Sequence, residues 1–523
     1  MNDQSRIYNT LRNLLVGFGG RLFQYALSFI NRTVFIYILP IEYLGVNGLF
    51  TNVLAMLAVA ELGVGGAFVS LLYRPLYEKD TEKLKSLMTA FKKAYILIGG
   101  IIGVSGLALY PFLDVIIKED NIENINLIFL MFLAGSVASY FYAHKIAFLS
   151  ADQKSYISTI YHQIFVFIQY ALQIISLVLY NDFLLYLAIQ IICPIVGNLV
   201  LAGKINRLYP FLKEKGLPLD KETYADLKQK VSASMYHHFG FIILNGTDSL
   251  VISTFLGVYY VGLYSNYLML MGVVTAFSLL GFNAVTASVG NLAASSDRNR
   301  TFDIFQKMQF FNFFIVGFSS VCFITLFNPF ITLWIGSEYL LPQSIVIIIV
   351  IVFYSGRAGM QKSINIFKAT TGLFYKDRYF ALLEGLVNIA ASIILVQYWG
   401  LAGVFIGTMI SMLAARIWTE PYFVFRYLFY RPLFDYFFKY LQYGLATLLT
   451  TIVVYYLTSF MPRTTWIEFF EMTVVCCFLT TGIFTLLFFK TDEFQYFYKT
   501  IRSWMIRLRE IRGSKKISSK ESQ

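Results

Sequence analysis

Apolar runs of about 20 residues recur along the whole chain, and they constrain the fold more than any other feature. Each run is long enough to cross a hydrocarbon core of about 30 Å as a helix. Charged residues make up only 14% of the 523 residues, against about a quarter in soluble domains. The sequence therefore predicts an all-α polytopic membrane protein and excludes a water-soluble enzyme. Fourteen spans are predicted, at approximately 14–39, 45–72, 94–117, 125–149, 158–180, 183–203, 232–256, 263–290, 309–335, 344–368, 379–399, 401–425, 440–460 and 467–489.

The basic residues lie almost entirely on one side of these spans. With the N-terminus inside, 35 of the 42 Lys and Arg residues fall in inner loops, and only Lys118 and Arg463 fall in outer loops. Short cytoplasmic loops are enriched in Lys and Arg. Both termini are therefore predicted to be cytoplasmic. The net charge of +12 reflects this topology, so no nucleic acid partner is expected.

A constant offset of 217 residues links two parts of the chain. Residues 39–45 (LPIEYLG) match 256–262 (LGVYYVG), and the same shift carries Lys145 onto Lys362. The offset predicts two six-helix halves in the same orientation, related by an axis along the membrane normal and enclosing a cavity. The predicted regions are an N-terminal lobe at 1–215, a C-terminal lobe at 216–430, an additional helical hairpin at 431–490 and a basic amphipathic cytoplasmic tail at 491–523.

The first span carries a basic stripe. Arg21 and Arg32 are eleven residues apart, which at about 100° per residue places them near one face of a helix, about 16 Å apart along its axis. Gln24 lies near the same stripe. Charge inside a span is costly and needs a partner, water or a function. We expect the stripe to bind an anion in a hydrated cavity; alternatively, Arg21 reaches the inner interface and Arg32 pairs with Glu61.

Span seven carries a matching polar strip. The offset places His238 on Arg21, and the strip also contains His237, Asn245 and Asp248. Asp248 is a membrane carboxylate that could take a proton or a sodium ion as the coupling site, or serve as a fixed counter-ion to an arginine of span one. The two histidines could equally be ordinary hydrogen-bonded core residues.

The inner half of span ten is polar and contains Arg357 and Lys362. This half either projects into the cytosol or widens a basic cavity. Arg416 and Glu420, spaced i and i+4, are predicted to pair with each other. All four cysteines lie in apolar runs, so no metal site is predicted.

Residues 31–80, NRTVFIYILPIEYLGVNGLFTNVLAMLAVAELGVGGAFVSLLYRPLYEKD, resemble the polysaccharide biosynthesis, or Wzx-type, flippases. That superfamily also contains the multidrug and toxin extrusion (MATE) antiporters and the lipid II flippases. The resemblance implies a MATE-like fold of two six-helix lobes with two extra C-terminal helices. It also implies translocation of an undecaprenyl-diphosphate-linked oligosaccharide to the outer leaflet of the bacterial cytoplasmic membrane, by alternating access, for capsule, exopolysaccharide or O-antigen synthesis. The polymerase and other proteins of that assembly pathway are expected partners.

Basic residues in the spans suit such a substrate, because arginine presents a planar fork of donors to phosphate oxygens. The expected diphosphate cradle is Arg21, Arg32, His237, His238, Arg357 and Lys362. Expected sugar contacts are Gln24, Asn31 and Asn245, and the expected ion-coupling or counter-ion residues are Asp248 and Glu61.

Three alternatives differ in their chemistry. A multidrug antiporter of the same fold would present buried carboxylates and aromatics, whereas basic groups exceed acidic ones here. A lipid II flippase would need the same diphosphate cradle and differ only in the sugar. A membrane-embedded transferase would need a carboxylate or histidine cluster facing a donor substrate, and no enzyme activity is expected. No cofactor is expected beyond H+ or Na+ as a coupling ion.

Overall fold

A computed structural model describes residues 3–61, 63–118, 122–294, 297–373, 376–500 and 502–503. Within these ranges, side chains are described except at 3–18, 59–60, 233–245, 280, 283–285, 287–288, 291, 293–294 and 378.

The described part of the chain is helical throughout and contains no β-strand. Its helices are α1 (Asp3–Ile38), α2 (Ile41–Leu57), α3 (Val64–Glu78), α4 (Thr81–Leu109), α5 (Leu113–Ile116), α6 (Ile125–Ala151), α7 (Ser155–Tyr180), α8 (Phe183–Leu208), α9 (Lys221–Leu256), α10 (Val258–Ala294), α11 (Arg298–Ile335), α12 (Gln343–Ser355), α13 (Lys362–Thr370), α14 (Arg378–Ala414), α15 (Arg416–Val424), α16 (Phe434–Ser459) and α17 (Trp466–Phe488). A further helical segment covers 492–500.

Nine helical segments among the described residues are long and apolar enough to cross a membrane. One of them, Tyr379–Phe429, contains two of the predicted spans, and the chain turns between them at Gly400, whose φ is +54°. Large apolar side chains such as Leu97 and Val104 on α4 are more than half exposed, as side chains facing lipid would be. The predicted all-α polytopic membrane fold is confirmed.

Acidic side chains in the loops cap the N-termini of several helices. The side chain of Asp220 accepts a hydrogen bond from the backbone N–H of Thr223 at 2.6 Å and so caps α9, an interaction that lowers the pKa of Asp220. Asp80, Asp182 and Asp297 cap α4, α8 and α11 in the same way. Thr465 and Glu468 form a reciprocal capping box at the start of α17. These caps fix where the helices begin.

Two predicted spans are broken. Span two divides into α2 and α3 around a 3₁₀ turn at Ala58–Glu61, and span ten divides into α12 and α13. In the second break, a Cβ at Gly359 would lie 2.1 Å from the carbonyl oxygen of Phe353, so only glycine fits there. The side-chain amide of Asn312 donates to the carbonyl of Gly359 at 2.9 Å. Irregular backbone at membrane depth is thus buried in protein, as it must be where water is absent.

The chain divides into two compact units. The first contains Met1–Val273 and Arg378–Arg416, and the second contains Val274–Asp377 and Ile417–Gln523. The first unit holds α1–α9 and α14, with α14 packed along α9 and α1 along α7. The second packs α11 against α12, α16 and α17. These contact-based units follow other boundaries than the lobes 1–215 and 216–430, whose division stays a prediction.

The repeat is visible as a reciprocal contact within the first unit. A Cβ at Gly45 would lie 1.9 Å from the carbonyl oxygen of Val258, and a Cβ at Gly262 would lie 2.6 Å from that of Ile41. Ile41 and Val258 are 217 positions apart, and so are Gly45 and Gly262. The start of α2 therefore meets the start of α10 through the same two positions of each repeat, which supports a two-fold relation between them.

Gly45→Ala is expected to destabilise this crossing by about 1–3 kcal/mol, because the added methyl has no room against the Val258 carbonyl. Gly48→Ala is the matched control on the same helix, since its Cβ would meet only Val261 at 3.8 Å. Thermal unfolding of the purified variants in detergent measures the difference. Equal unfolding temperatures for the two variants would contradict the close contact.

Candidate substrate and ion sites

A cavity of about 600 Å³ lies beside Arg21 within the first unit. It is bounded mainly by α1, α7 and α8, and Arg21 is the one Lys or Arg among its lining residues. Its other polar lining includes Gln24, His162, Gln163, Gln169 and Asn198. Among the described residues no Asp or Glu lines it, so Arg21 has no carboxylate counter-ion in this part of the lining.

Amide side chains continue from this cavity along α7. Gln163 Nε2 donates to Gln24 Oε1 at 3.4 Å. Six residues further along α7, Gln169 Nε2 donates to Gln173 Oε1, and Gln173 Nε2 donates to the carbonyl of Tyr186. The Tyr186 hydroxyl in turn accepts from Asn31 Nδ2 at 2.8 Å. We call this series, from Arg21 through these amides to Asn31 and Arg32, the polar track.

Arg32 lies at the far end of the polar track and is held by neutral groups. Its Nη1 donates to Ser265 Oγ at 3.1 Å and to Asn266 Oδ1 at 3.0 Å, both on α10. Among the described residues, no carboxylate lies within salt-bridge distance of its guanidinium. Its charge is therefore not neutralised by any described carboxylate.

The alternative pairing of Arg32 with Glu61 is wrong. Glu61 lies in the 3₁₀ turn that breaks span two, where its Oε1 accepts a hydrogen bond from the Tyr95 hydroxyl at 2.9 Å. Tyr140 also hydrogen-bonds to this carboxylate. Glu61 is thus held by phenols, and its role in ion coupling stays a prediction.

Asp248 lies in a network of neutral oxygen and amide groups. Thr408 Oγ1 donates to Asp248 Oδ1 at 3.1 Å, and Asn388 Nδ2 donates to Thr408 Oγ1 at 2.9 Å. Thr247 Oγ1 donates to Asn388 Oδ1 at 2.9 Å. No lysine or arginine with a described side chain forms an ion pair with Asp248, so the expected alternative, a counter-ion to an arginine of span one, finds no support.

The offset of 217 carries Asn31 onto Asp248. Each contacts a polar residue on the sixth helix of its repeat: Asn31 bonds to Tyr186 on α8, and Asp248 bonds to Thr408 on the second half of α14. The neighbouring pair is also equivalent, because Arg32 falls on Ser249. The amide of Asn31 in the first repeat therefore corresponds to the carboxylate of Asp248 in the second. The guanidinium of Arg32 corresponds to the hydroxyl of Ser249.

Arg357 is partly neutralised in the second unit. Its Nη2 lies 3.6 Å from Glu420 Oε1, which also binds Lys368 Nζ at 2.6 Å. Lys368 reaches Asp377 at 2.6 Å as well. Lys362 begins α13 and is half-buried. The inner part of span ten is thus packed inside protein rather than projecting from it, and Arg357 is in an ion cluster with Lys368, Asp377 and Glu420.

The predicted pairing of Arg416 with Glu420 is wrong. Arg416 binds Glu384 on α14, with Nε donating to Oε2 at 3.1 Å and Nη2 to Oε1. Glu420, four residues further along the chain, belongs to the ion cluster and binds Lys368. Both residues lie on α15 at helical spacing, but each binds a partner from another helix, Glu384 on α14 for Arg416 and Lys368 on α13 for Glu420.

Lys368→Met is expected to lower the free energy of unfolding by about 3–5 kcal/mol, because it leaves the buried carboxylates of Asp377 and Glu420 without their shared partner. Unfolding in detergent, followed by the fluorescence of the native tryptophans, measures this. Arg74→Ala removes an exposed ion pair with Glu78 and is expected to change little. Similar unfolding of the two variants would show that the cluster is not essential to stability.

Three predicted residues lie outside the described side chains. His237, His238 and Asn245 belong to α9, but only its backbone is described there. In the tail, Phe494 and Phe497 pack on Phe310, and Phe497 also stacks on Phe311 of α11. Residues 504–523 are outside the described part, so membrane docking of the tail stays a prediction. Among the described residues, no three His, Cys, Asp or Glu cluster as metal ligands would.

The structure adds residues that the sequence interpretation missed. Gln163, Gln169 and Asn198 line the cavity with Gln24, and Asn388 and Thr408 surround Asp248. Each is a polar residue inside an apolar run, which is a visible signal. Pairing them across helices required the packing of α1 on α7 and of α9 on α14.

Solved structures with the same arrangement of helices are known. The lipid II flippase MurJ in an inward closed conformation is 17% identical, with a TM-score of 0.62, and the match covers 91% of this chain and 98% of that one. A multidrug resistance MATE family transporter of the MOP superfamily, inward-facing, is 18% identical with a TM-score of 0.59 and covers 77% and 94%. A mutant MATE transporter from Vibrio cholerae is 16% identical with a TM-score of 0.51 and covers 82% and 98%.

The chain has the fold of these transporters. No family model matches the sequence, and no curated protein sequence matches it either. At such low identity, the similarity concerns the fold. Function has to be argued from the residues of the polar track and of the Asp248 network.

Proposed function

We propose that the protein is a flippase that moves an undecaprenyl-diphosphate-linked oligosaccharide from the inner to the outer leaflet of the cytoplasmic membrane. The observation that carries the proposal is the polar track, where Arg21 and Arg32 lie inside the first unit without carboxylate partners among the described residues. A lipid diphosphate is a compact polyanion, and unpaired guanidinium groups in a hydrated site bind such groups strongly.

The fold supports movement by alternating access. MurJ and the MATE transporters share this fold. A pair of repeats in the same orientation can open a shared cavity to either side in turn. The diphosphate would be bound within the first unit by Arg21 or Arg32, with the histidines of α9 as further candidates, while the polyprenyl chain stays in lipid. The product would then pass to capsule, exopolysaccharide or O-antigen assembly, with the polymerase as a partner.

Asp248 is proposed as the coupling site. A membrane carboxylate surrounded by neutral groups is favourable only when it binds a proton or a cation. The carboxylate, the Thr408 hydroxyl and the Val404 carbonyl, whose oxygen lies 3.2 Å from that hydroxyl, are hard oxygen ligands suited to a proton or a sodium ion. Binding and release of that ion would bias the fold between its two orientations.

A second function has one observation in its favour. A cation-coupled multidrug antiporter of this fold would use a buried carboxylate such as Asp248 to bind an organic cation. The positive charge of the polar track argues against it, because an organic cation would be repelled from the cavity beside Arg21. A lipid II flippase would use the same diphosphate contacts. Its substrate would differ from the favoured one in the group that the diphosphate carries.

Proteoliposomes test the proposal. Purified protein is reconstituted, and transbilayer movement of undecaprenyl-diphosphate-linked oligosaccharide, of lipid II and of ethidium is measured in parallel. We expect the wild type to move the diphosphate lipids and the Arg21→Ala/Arg32→Ala variant to move none, with Arg74→Ala unaffected as the charge-matched control. Extrusion of ethidium without movement of either lipid would overturn the flippase and favour the antiporter.

A further inference from the structure

We propose that the cavity beside Arg21 is the saccharide subsite, where the first sugars of the lipid-linked substrate are recognised. This inference rests on the proposed function and goes further, because it assigns sugar recognition to residues inside the first unit that are distinct from Arg32. The cavity, at about 600 Å³, falls within the about 300–1,000 Å³ of typical small-molecule sites. It has room for a short saccharide.

The lining has the chemistry that sugar hydroxyls require. A hydroxyl both donates and accepts, and so does a Gln or Asn side chain. Gln24, Gln163, Gln169 and Asn198 come from three different helices and converge on one cavity. Four amides on one cavity form an array of donors and acceptors that an organic cation could not satisfy.

The side chain of Gln163 leaves one hydrogen-bond acceptor of this array without a donor. Its Oε1 is buried and has no hydrogen-bond partner, while its Nε2 makes only a long bond of 3.4 Å to Gln24. A buried acceptor without a hydrogen-bond partner is unfavourable. A sugar hydroxyl donating to Gln163 Oε1 would remove this cost, which favours a polar ligand over an apolar one.

The charge of the cavity indicates which end of the substrate enters. Arg21 lines the same cavity as the amides, and no Asp or Glu does. A saccharide attached to phosphate therefore fits with its anionic end toward Arg21 and its hydroxyls toward the amides. Through Gln169 and Gln173 the polar track continues to Asn31, next to Arg32.

Equilibrium binding to two defined lipids tests the subsite. The probes are undecaprenyl diphosphate without sugar and undecaprenyl diphosphate carrying a disaccharide of N-acetylglucosamine, each added to purified protein in detergent. We expect Gln163→Leu to weaken binding of the glycosylated lipid about tenfold, the loss of one to two hydrogen bonds, and to leave binding of the sugar-free lipid within about twofold. Gln190→Leu removes an amide that pairs with Asn47 away from the cavity and serves as the control.

Two adjacent glycines provide a second comparison in which none of the amide residues is substituted. A Cβ at Gly20 would lie 3.1 Å from Gln163 Cγ and Nε2, so Gly20→Ala must displace that amide, whereas a Cβ at Gly19 would meet nothing within 4 Å. Both alanines favour the helix, so both variants should fold. We expect Gly20→Ala to weaken binding of the glycosylated lipid selectively, and Gly19→Ala to leave it unchanged.

The outcomes separate the two proposals. If the wild type binds neither lipid, the proposed function fails and the subsite fails with it. If the wild type binds both lipids equally, or if Gln163→Leu weakens both to the same extent, the diphosphate site stands and the saccharide subsite is overturned.

Discussion

Arg32→Ala is expected to abolish movement of the diphosphate lipid while leaving the amount of protein in the membrane unchanged. The variant removes a guanidinium that donates to Ser265 and Asn266 and has no carboxylate partner among the described residues. Truncating one partner of a buried hydrogen-bonded charge pair costs about 2–5 kcal/mol, on the order of 30- to 4,000-fold in binding. Initial rates of transbilayer movement in proteoliposomes, normalised to reconstituted protein, measure the loss.

Arg32→Lys separates charge from geometry. Lysine keeps the charge but lacks the planar fork, so it serves as a point charge and cannot present the parallel pair of donors with which a guanidinium binds phosphate. We expect a partial activity well below wild type. Wild-type rates for Arg32→Ala would remove Arg32 from the diphosphate site, and the polar track would then have to act through Arg21 alone.

Much of the fold follows from the sequence because lipid constrains it so strongly. All fourteen predicted spans fall on helices, since any segment that crosses a bilayer must satisfy its backbone hydrogen bonds internally. The offset of 217 residues also corresponds to a contact in the structure, because Gly45 and Gly262 lie against each other. The breaks in spans two and ten were not predicted. The apolar run of span two is continuous in the sequence, and the break at Gly359 in span ten depends on a contact with Asn312 on another helix.

The candidate site could be predicted only in part. The stripe on span one identified Arg21, Arg32 and Gln24, since spacing along one helix fixes a shared face. The spacing of residues along one helix could not identify the residues on other helices to which these side chains bind. Glu420 is close to Arg416 in sequence but binds Lys368, 52 residues away. Pairing in a membrane protein is decided by packing between helices, which a single sequence does not contain.

Asp248→Asn is expected to remove all stimulation of transport by an ion gradient while leaving the fold intact. Asparagine has the same shape, and its Oδ1 can still accept the hydrogen bond that Thr408 donates at 3.1 Å. It cannot take up a proton and carries no charge to bind a cation. The variant therefore tests the effect of ion binding separately from the effect of the hydrogen bonds around Asp248.

The measurement compares transport with and without an imposed proton gradient, and separately an imposed sodium gradient, in the same proteoliposomes. Wild type should be stimulated by one of the two gradients, and Asp248→Asn should run at the unstimulated rate under both. Glu61→Gln is the decisive comparison, because Glu61 is the other membrane carboxylate proposed for coupling and is held by Tyr95. Loss of stimulation in Glu61→Gln together with full stimulation in Asp248→Asn would move the coupling site to the break in span two. Loss in Asp248→Asn alone would leave it in the second repeat, at the position where the first repeat carries Asn31 beside Arg32. The two repeats would then divide the work, with the substrate anion bound by the first and the driving cation by the second.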